Sequence, residues 1–138
     1  MLYFVDVGLA SYLVGIRSSE QLLAHPLRGP LFENAAMSEV VKHSHNRARY
    51  AEPSFFRTSD GLECDLLYPT SSGLAAVEIK PGATISAAWF AGLRRIRRTI
   101  PDISSAAIVY GGDLSQERTD ATAVTLAELT VLLNSLDP

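Results

Sequence analysis

The sequence predicts an α/β domain in which a central mixed sheet lies between helices. An amphipathic helical segment, 31–45, is followed by three strand-forming runs within 54–80. A second amphipathic segment, 87–99, then precedes a buried-looking strand, 106–110. Helices that alternate with strands in this way are expected to cover a sheet and bury one core. A chain of 138 residues is long enough to do so as a single domain.

The first residues predict small elements rather than an independent fold. Residues 1–6 resemble a short strand, and Asp6 is a suitable N-cap for a helix that follows it. A second short helix is expected to stop before Pro26. We therefore expect 1–27 to be a helical segment, the remnant of a larger protein, and 28–138 to be the domain itself.

The first long helix, 31–45, begins after Pro30, which suits the first helical position. Glu33 lies in its first turn, beside the apolar stripe of the helix. An acid there is favoured by the helix dipole, which needs no catalytic role. The same position also suits an outer metal ligand or a group that holds water. The three histidines, His25, His43 and His45, are assigned to no chemistry.

Residues 61–80 contain two strand-forming runs around a Pro-Thr-Ser-Ser-Gly turn, which is typical of a β-hairpin. Alternation predicts that Leu62, Cys64 and Leu66 share one face of the first strand, opposite Asp65. A loop at 70–73 makes Pro69 and Leu74 the innermost pair. Counting outward then sets Asp65 opposite Glu78, and Glu63 opposite Lys80.

Two carboxylates that face each other across a sheet repel, and a divalent cation between them reverses that effect. Mg²⁺ or Mn²⁺ takes oxygen ligands and needs only one or two protein carboxylates when water and phosphate complete its shell. Lys80 would lie beside such an ion, because it faces the same way as Glu78. Asp65, Glu78 and Lys80 therefore predict a phosphodiester-cleaving site. The alternative is a plain ion pair between Glu63 and Lys80, without a metal.

The helix predicted over 87–99 is capped by Thr84 or Ser86 and has an apolar side that packs on the sheet. Its other side carries four arginines, which form either a solvated face or a surface that contacts the phosphates of a nucleic acid. These are Arg94, Arg95, Arg97 and Arg98. A final helix is predicted over 127–136, with a strand allowed over 123–125.

Composition limits the class of protein. The net charge of −3 argues against a dedicated nucleic-acid binder, but 80–100 holds five basic residues and no acid, so a local positive face remains. No run approaches the roughly 18 apolar residues of a membrane span, and no secretory signal opens the chain. One cysteine, Cys64, excludes an internal disulfide and fits a reducing cytoplasm.

Five stretches, in this order, resemble a domain of unknown function found at the C-terminus of bacterial and archaeal AAA-type ATPases, within the PD-(D/E)xK nuclease superfamily. They are 3–10 (Tyr-Phe-Val-Asp-Val-Gly-Leu-Ala), 29–34 (Gly-Pro-Leu-Phe-Glu-Asn), 56–58 (Phe-Arg-Thr), 61–65 (Gly-Leu-Glu-Cys-Asp) and 77–80 (Val-Glu-Ile-Lys). The resemblance implies a restriction-endonuclease-like core of order αβββαβ. It also implies that Asp65 and Glu78 hold magnesium, that Lys80 lies beside the attacked phosphate, and that Glu33 supports them.

Relatives usually carry a nucleotide-binding domain before this module. Here no Gly-x-x-x-x-Gly-Lys-Ser/Thr loop is present, so this chain is not expected to be an ATPase. The chain is expected to be a fragment, a natural truncation or a stand-alone remnant. Two functions are expected as alternatives: a metal-dependent nuclease acting on DNA or RNA, or a catalytically silent regulatory or oligomerisation module. The second alternative includes a homo-oligomer.

Overall fold

The computed structural model describes residues 2–47 and 53–136, and these form five α-helices and six strands. The helices are α1 (Val7–Leu13), α2 (Ser19–Ala24), α3 (Arg28–Asn46), α4 (Ala87–Thr99) and α5 (Leu129–Leu136). The strands are β1 (Ser54–Arg57), β2 (Glu63–Thr70), β3 (Gly73–Lys80), β4 (Ile103–Tyr110), β5 (Gln116–Glu117) and β6 (Thr122–Thr125). A 3₁₀ turn, Leu126–Glu128, precedes α5. The predicted order of a helix, three strands, a helix and a strand is confirmed.

The six strands form one mixed sheet in the order β1-β2-β3-β4-β6-β5. The first three strands are antiparallel neighbours, whereas β3, β4 and β6 run parallel, and β5 closes the edge antiparallel to β6. Helix α4 connects the parallel strands β3 and β4, as a crossover connection requires. The predicted α/β class with a central mixed sheet flanked by helices is therefore confirmed.

Apolar side chains form a core layer on each face of the sheet. Under α3 and α5 lie alternate residues of β2, β3 and β4, among them Leu66, Tyr68, Val77 and Val109. Under α4 lie the residues of the opposite face, among them Cys64, Leu67, Ala76 and Ile108. Both faces of the central strands are covered, which explains why β3 is buried from Ala75 to Ile79.

Helix ends follow the capping residues of the sequence. The side chain of Asp6 accepts a hydrogen bond from the Leu9 amide at the start of α1, and Ser86 accepts one from the Ala88 amide at the start of α4. Helix α3 begins at Arg28, so Pro30 is its third residue rather than its first. The first-turn amides of a helix have no partner within it, and proline is tolerated there for that reason.

The prediction of a strand at the N-terminus is wrong over the described residues 2–6, which form no strand. The backbone of Phe4 is instead held by the side chain of Asn34 on α3. The Phe4 amide donates to Asn34 Oδ1 at 2.7 Å, and Asn34 Nδ2 donates to the Phe4 carbonyl at 2.7 Å. Ser38 Oγ donates to the same carbonyl at 3.1 Å. The Asn34 side chain thus satisfies the Phe4 backbone groups that a neighbouring strand would have paired in the predicted sheet.

None of the helices formed by residues 2–47 and 53–136 combines the length and the apolarity that crossing a lipid bilayer requires.

Candidate functional site

The β2–β3 hairpin has the predicted register, with Pro69 opposite Leu74. Pairing extends to Thr70 and Gly73, so the turn is shorter than the predicted loop. Gly73 has φ +133°, a conformation that favours glycine, and a Cβ there would lie 2.4 Å from the Asp102 carbonyl oxygen. At the other end the ladder stops at Leu66 and Val77. Asp65 and Glu78 occupy the next position on each strand, beyond the last pair.

A β-bulge in β2 changes the direction of its side chains beside Asp65. The pairing of β2 with β1 shifts by one residue between the pair Ser54–Leu67 and the pair Phe56–Cys64. As a result Cys64 and Leu67 pack under α4, whereas Leu66 packs under α3. The prediction that Cys64 and Leu66 share a face is therefore wrong. Bulges redirect side chains and end regular pairing, and here the bulge coincides with the point where β2 and β3 separate.

The carboxylate of Asp65 provides a hydrogen-bond acceptor to β3 just beyond the last β2–β3 pair. Its Oδ2 accepts a hydrogen bond from the Ile79 amide at 2.7 Å and lies 3.4 Å from Lys80 Nζ. The Ile79 amide belongs to a buried residue and needs an acceptor. Asp65 therefore supplies a hydrogen bond that the strand backbone does not, and this contact aims its side chain at β3.

The structure brings the carboxylates of Asp65 and Glu78 together around the ammonium group of Lys80. Lys80 Nζ lies 2.5 Å from Glu78 Oε2 and 3.4 Å from Asp65 Oδ2. The side chains are 16% (Asp65), 7% (Glu78) and 28% (Lys80) exposed, so the cluster is largely shielded from water. Glu63 is not part of it. Its carboxylate is exposed and lies 3.8 Å from Arg57 Nε, so the alternative of a Glu63–Lys80 ion pair is wrong.

Burial and the neighbouring charges shift two of these groups. Desolvation raises the pKa of Glu78, the negative charge of Asp65 adds to this, and the hydrogen bond from Lys80 only partly opposes it. For Lys80, burial acts against the charged form, but the hydrogen bond to Glu78 and the charge of Asp65 outweigh it and raise the pKa. Burial therefore disfavours the ionised form of Glu78, whereas the two carboxylates favour the charged form of Lys80.

Glu33 lies on the second turn of α3, because the helix begins at Arg28, so the prediction that it lies in the first turn is wrong. It receives a hydrogen bond from a residue to which the sequence analysis gave no role. Tyr3 Oη donates to Glu33 Oε1 at 2.7 Å. The pKa of Tyr3 is raised, first by burial, then by the bond to Glu33 and its charge, and also by the charge of Asp65. The charges of Glu33 and Asp65 therefore both act on the Tyr3 hydroxyl group. Tyr3 and Glu33 are 30 positions apart, and no local pattern relates them.

The chain after Lys80 is fixed on two sides. Arg28 Nη2 donates to the Pro81 carbonyl at 2.7 Å, which ties the start of α3 to the end of β3. The Gly111 amide donates to the Lys80 carbonyl at 3.0 Å. A Cβ on Gly111 would lie 2.4 Å from the Pro81 oxygen, so only glycine allows this approach. Arg28 and Gly111 thus hold the backbone that carries Lys80.

The four arginines predicted as a nucleic-acid contact all lie on the exposed side of α4. Two of them form ion pairs: Arg94 with Asp120 at 2.5 Å and Arg95 with Asp60 at 3.0 Å. Arg97 and Arg98 have no ion pair within the described ranges. The structure does not place any of the four in the Asp65–Glu78–Lys80 cluster.

The donor set suits a hard divalent cation in charge and atom type, since two carboxylates face one ammonium group and a net negative charge remains. The Lys80 ammonium group, however, lies between the carboxylates, so a metal ion would have to displace it. Over residues 2–47 and 53–136, no group of three or more His, Cys, Asp or Glu side chains is placed to hold a metal. Metal binding here would depend on water or phosphate for the remaining ligands.

No curated protein matches this chain. One protein family, described as a domain of unknown function (DUF4143), matches residues 28–129. The match spans α3 to the start of α5 and includes Glu33, Asp65, Glu78 and Lys80. Since it covers well over half of the chain, this protein belongs to the DUF4143 family.

Proposed function

We propose that this chain is a nuclease-like domain whose Asp65–Glu78–Lys80 cluster is a divalent-metal phosphodiesterase site. In relatives this module would be the C-terminal part of an AAA-type ATPase. One observation carries the proposal: two carboxylates from neighbouring strands and one lysine converge at a largely buried point where regular strand pairing stops.

The charges of the cluster support a functional role. Two carboxylates share a single ammonium group, and burial together with the charge of Asp65 raises the pKa of Glu78 despite the hydrogen bond from Lys80. Buried charge without full compensation weakens a fold, and such groups concentrate at functional sites. A divalent cation would supply the missing positive charge.

The residues of the cluster suit phosphodiester hydrolysis. When bound, Mg²⁺ or Mn²⁺ supplies a Lewis acid and lowers the pKa of water. Asp65 and Glu78 offer oxygen ligands, and the Ile79 amide orients the Asp65 carboxylate. Once displaced from between the carboxylates, the Lys80 ammonium group would stabilise negative charge developing on the phosphate. Glu33, fixed by Tyr3, would hold water or an outer ligand.

Metal titration followed by thermal unfolding tests this proposal. A ligand at ten times its Kd stabilises the native state by about 1.4 kcal/mol. For a domain of this size that corresponds to a rise in Tm of about 5 °C. We expect this rise with Mn²⁺ in the wild type and its loss in Asp65→Asn, which keeps a hydrogen-bond acceptor for Ile79. The same Tm rise in both proteins would argue against these ligands.

Activity is then measured on single-stranded DNA, duplex DNA and RNA, each with Mg²⁺ or Mn²⁺. We expect cleavage of at least one substrate, lost in Lys80→Ala and in Asp65→Asn. Glu63→Ala is the matched control, because Glu63 is an exposed acid on the same strand and lies outside the cluster. Cleavage that survives Lys80→Ala would show that another site or a contaminant is responsible.

A catalytically silent regulatory or oligomerisation module is the second candidate function. The observation that favours it is the Lys80 ammonium group, which already bridges both carboxylates without a metal. In addition, residues 2–27 expose several large apolar side chains, as a protein contact surface would: Leu2, Val5, Leu9, Tyr12, Leu13 and Leu23. No Tm shift at millimolar Mn²⁺ together with a concentration-dependent sedimentation coefficient would favour this function.

A further inference from the structure

We propose that the exposed side of α4 binds the phosphate backbone of the nucleic acid that is cleaved at the Asp65–Glu78–Lys80 cluster. This inference rests on the proposed function and names its substrate as a nucleic acid several nucleotides long. We call this surface the arginine face. Its basic side chains, all of them exposed, are Arg94, Arg95, Arg97 and Arg98.

The arginine face and the cluster lie on the same side of the sheet. Val77 and Ile79 of β3 belong to the core layer under α3 and α5, whereas Ala76 belongs to the layer under α4. Because side chains alternate along a strand, Glu78 and Lys80 point to the side that α4 covers. A strand bound along α4 would therefore lie on the side of the sheet that carries these two side chains.

The course of α4 sets the length of substrate that this surface implies. The helix connects the end of β3 to the start of β4, and these strands run parallel, so it leads away from Lys80. From Ala87, its first residue, Arg94 lies about 10 Å and Arg98 about 16 Å along the helix axis. Phosphates of one strand follow each other at about 3.4 Å along the axis of B-DNA. Several nucleotides are therefore needed to reach from the cluster to the arginine face.

The charges of α4 are not balanced within the helix. None of its 13 residues is acidic, and its four arginines lie three or four positions apart in three pairs. Like charges at these spacings destabilise a helix. The helix dipole favours the two arginines of the last turn, but it does not favour Arg94 and Arg95, which lie before that turn. A bound polyanion would remove this repulsion.

The carboxylates beside the arginine face can be exchanged for phosphates. Arg94 pairs with Asp120, between β5 and β6, and Arg95 pairs with Asp60, between β1 and β2. The side chains of the two aspartates are 40% and 63% exposed, and exposed ion pairs contribute little to stability. The other two arginines have no ion pair in the part of the chain that the structure describes.

A nucleic acid suits this surface in chemistry and in charge. A guanidinium group binds a phosphate through two parallel hydrogen bonds. The net charge of −3 includes the four arginines, so the rest of the chain carries −7 and repels a polyanion. Binding is thereby confined to the arginine face. Contacts to phosphates carry no sequence information, so we expect no sequence preference.

Fluorescence anisotropy with a labelled DNA duplex of about 20 base pairs tests the inference. The full chain is titrated in EDTA, at salt concentrations from about 50 to 200 mM. We expect Arg97→Ala combined with Arg98→Ala to weaken binding at least about 10-fold at low salt. The slope of log K against log salt should become less steep by about two, because two phosphate contacts are lost. Both side chains are exposed, so this variant should fold as the wild type does.

The matched control removes the same charge from the other side of the sheet. Arg17 and Lys42 are exposed basic residues, and Lys42 lies on α3. Arg17→Ala combined with Lys42→Ala should bind the duplex with nearly the wild-type affinity and salt slope. Parallel titrations with single-stranded DNA and with duplex RNA distinguish the nucleic acids that share this phosphate chemistry.

The aspartates provide a variant with the opposite expected effect. Asp60→Asn and Asp120→Asn each remove a carboxylate that competes with phosphate for an arginine. Each should tighten binding of the duplex at least about 3-fold at low salt. Glu39→Gln is the control, since it removes the acid of an exposed ion pair with Lys42 on α3. Equal tightening in all three variants would show that overall charge, and not the arginine face, controls binding.

The outcomes separate this inference from the proposed function, because the binding assay contains no metal. Equal affinity of the wild type and the Arg97–Arg98 double variant would overturn the arginine face and leave the metal site standing. Tighter binding of poly-glutamate than of the duplex would also overturn it, since the partner would then be an acidic protein. Binding of the duplex through these arginines without any Tm rise in Mn²⁺ would refute the metal site and retain the arginine face.

Discussion

Replacing Asp65 by alanine or by asparagine separates the two roles of this residue. Its carboxylate accepts a hydrogen bond from the buried Ile79 amide and also faces Lys80. Alanine removes both contacts, whereas asparagine removes the charge and retains an oxygen that can accept from Ile79. The structural role therefore predicts a stability loss for Asp65→Ala that Asp65→Asn does not share.

The expected magnitude follows from the contacts. A buried amide left without an acceptor costs about 1–3 kcal/mol. The lost attraction to Lys80 adds little, because Lys80 keeps Glu78 at 2.5 Å and Glu78 is relieved of the repulsion from Asp65. We expect Asp65→Ala to lower the free energy of unfolding by about 1–3 kcal/mol. This corresponds to about 4–12 °C in Tm for a chain of this length. Asp65→Asn should lose less than about 1 kcal/mol.

Two assays measure this difference. Urea unfolding gives the free energy of each variant, with Glu63→Ala as a control that removes an exposed acid from the same strand. Native-state hydrogen exchange reports on the Ile79 amide itself. We expect that amide to exchange about 10-fold faster or more in Asp65→Ala, and close to the wild-type rate in Asp65→Asn.

Equal destabilisation of Asp65→Asn and Asp65→Ala would refute the role of Asp65 as an acceptor for the Ile79 amide. In that case the charge of Asp65, and not its role as acceptor, would stabilise the junction of β2 and β3. Unchanged protection of the Ile79 amide in Asp65→Ala would refute it equally, since the amide would then have another acceptor.

Three further predictions follow from the buried groups. Glu78→Gln should raise the free energy of unfolding at pH 7 by about 0.5–2 kcal/mol. The pKa of Glu78 is raised in the folded protein, so its ionisation weakens the fold as pH rises above the ordinary value of 4.5. The gain should therefore vanish in urea unfolding at acid pH, and its absence at pH 7 would show that Lys80 compensates the charge fully. Lys80→Met should tighten Mn²⁺ binding by about 10-fold or more in calorimetry while abolishing cleavage, because two like unit charges about 4 Å apart near a protein surface repel by about 4 kcal/mol. Weaker binding would mean that Lys80 does not compete with the metal. Burial raises the pKa of the Cys64 thiol to about 12. Iodoacetamide at pH 8 should therefore modify the native protein at least about 100-fold more slowly than the urea-unfolded chain, as followed by mass spectrometry.

Much of the fold could be predicted because it depends on local patterns. The apolar spacing of 87–99 predicted α4 with the bounds that the structure has, and Ser86 caps it. The register of the β2–β3 hairpin followed from one turn, since each pair determines the next. The sequence does not predict the β-bulge, because residues 64–66 contain no glycine or other residue typical of a change in strand direction. A bulge arises from pairing with β1 and depends on both strands.

The sequence by itself determined the helices and strands from α3 to β4, how β2 and β3 align, and that Asp65, Glu78 and Lys80 belong to one end of the hairpin. Periodicity and turn chemistry act over a few residues, so a single chain displays them. Only the tertiary structure decided that Lys80 contacts Glu78 and Asp65 instead of Glu63, and that Tyr3 lies on Glu33. Such contacts depend on a bulge and on the docking of a distant segment onto α3. Which partner a polar side chain contacts depends on distance and burial, and these are defined only in the folded chain.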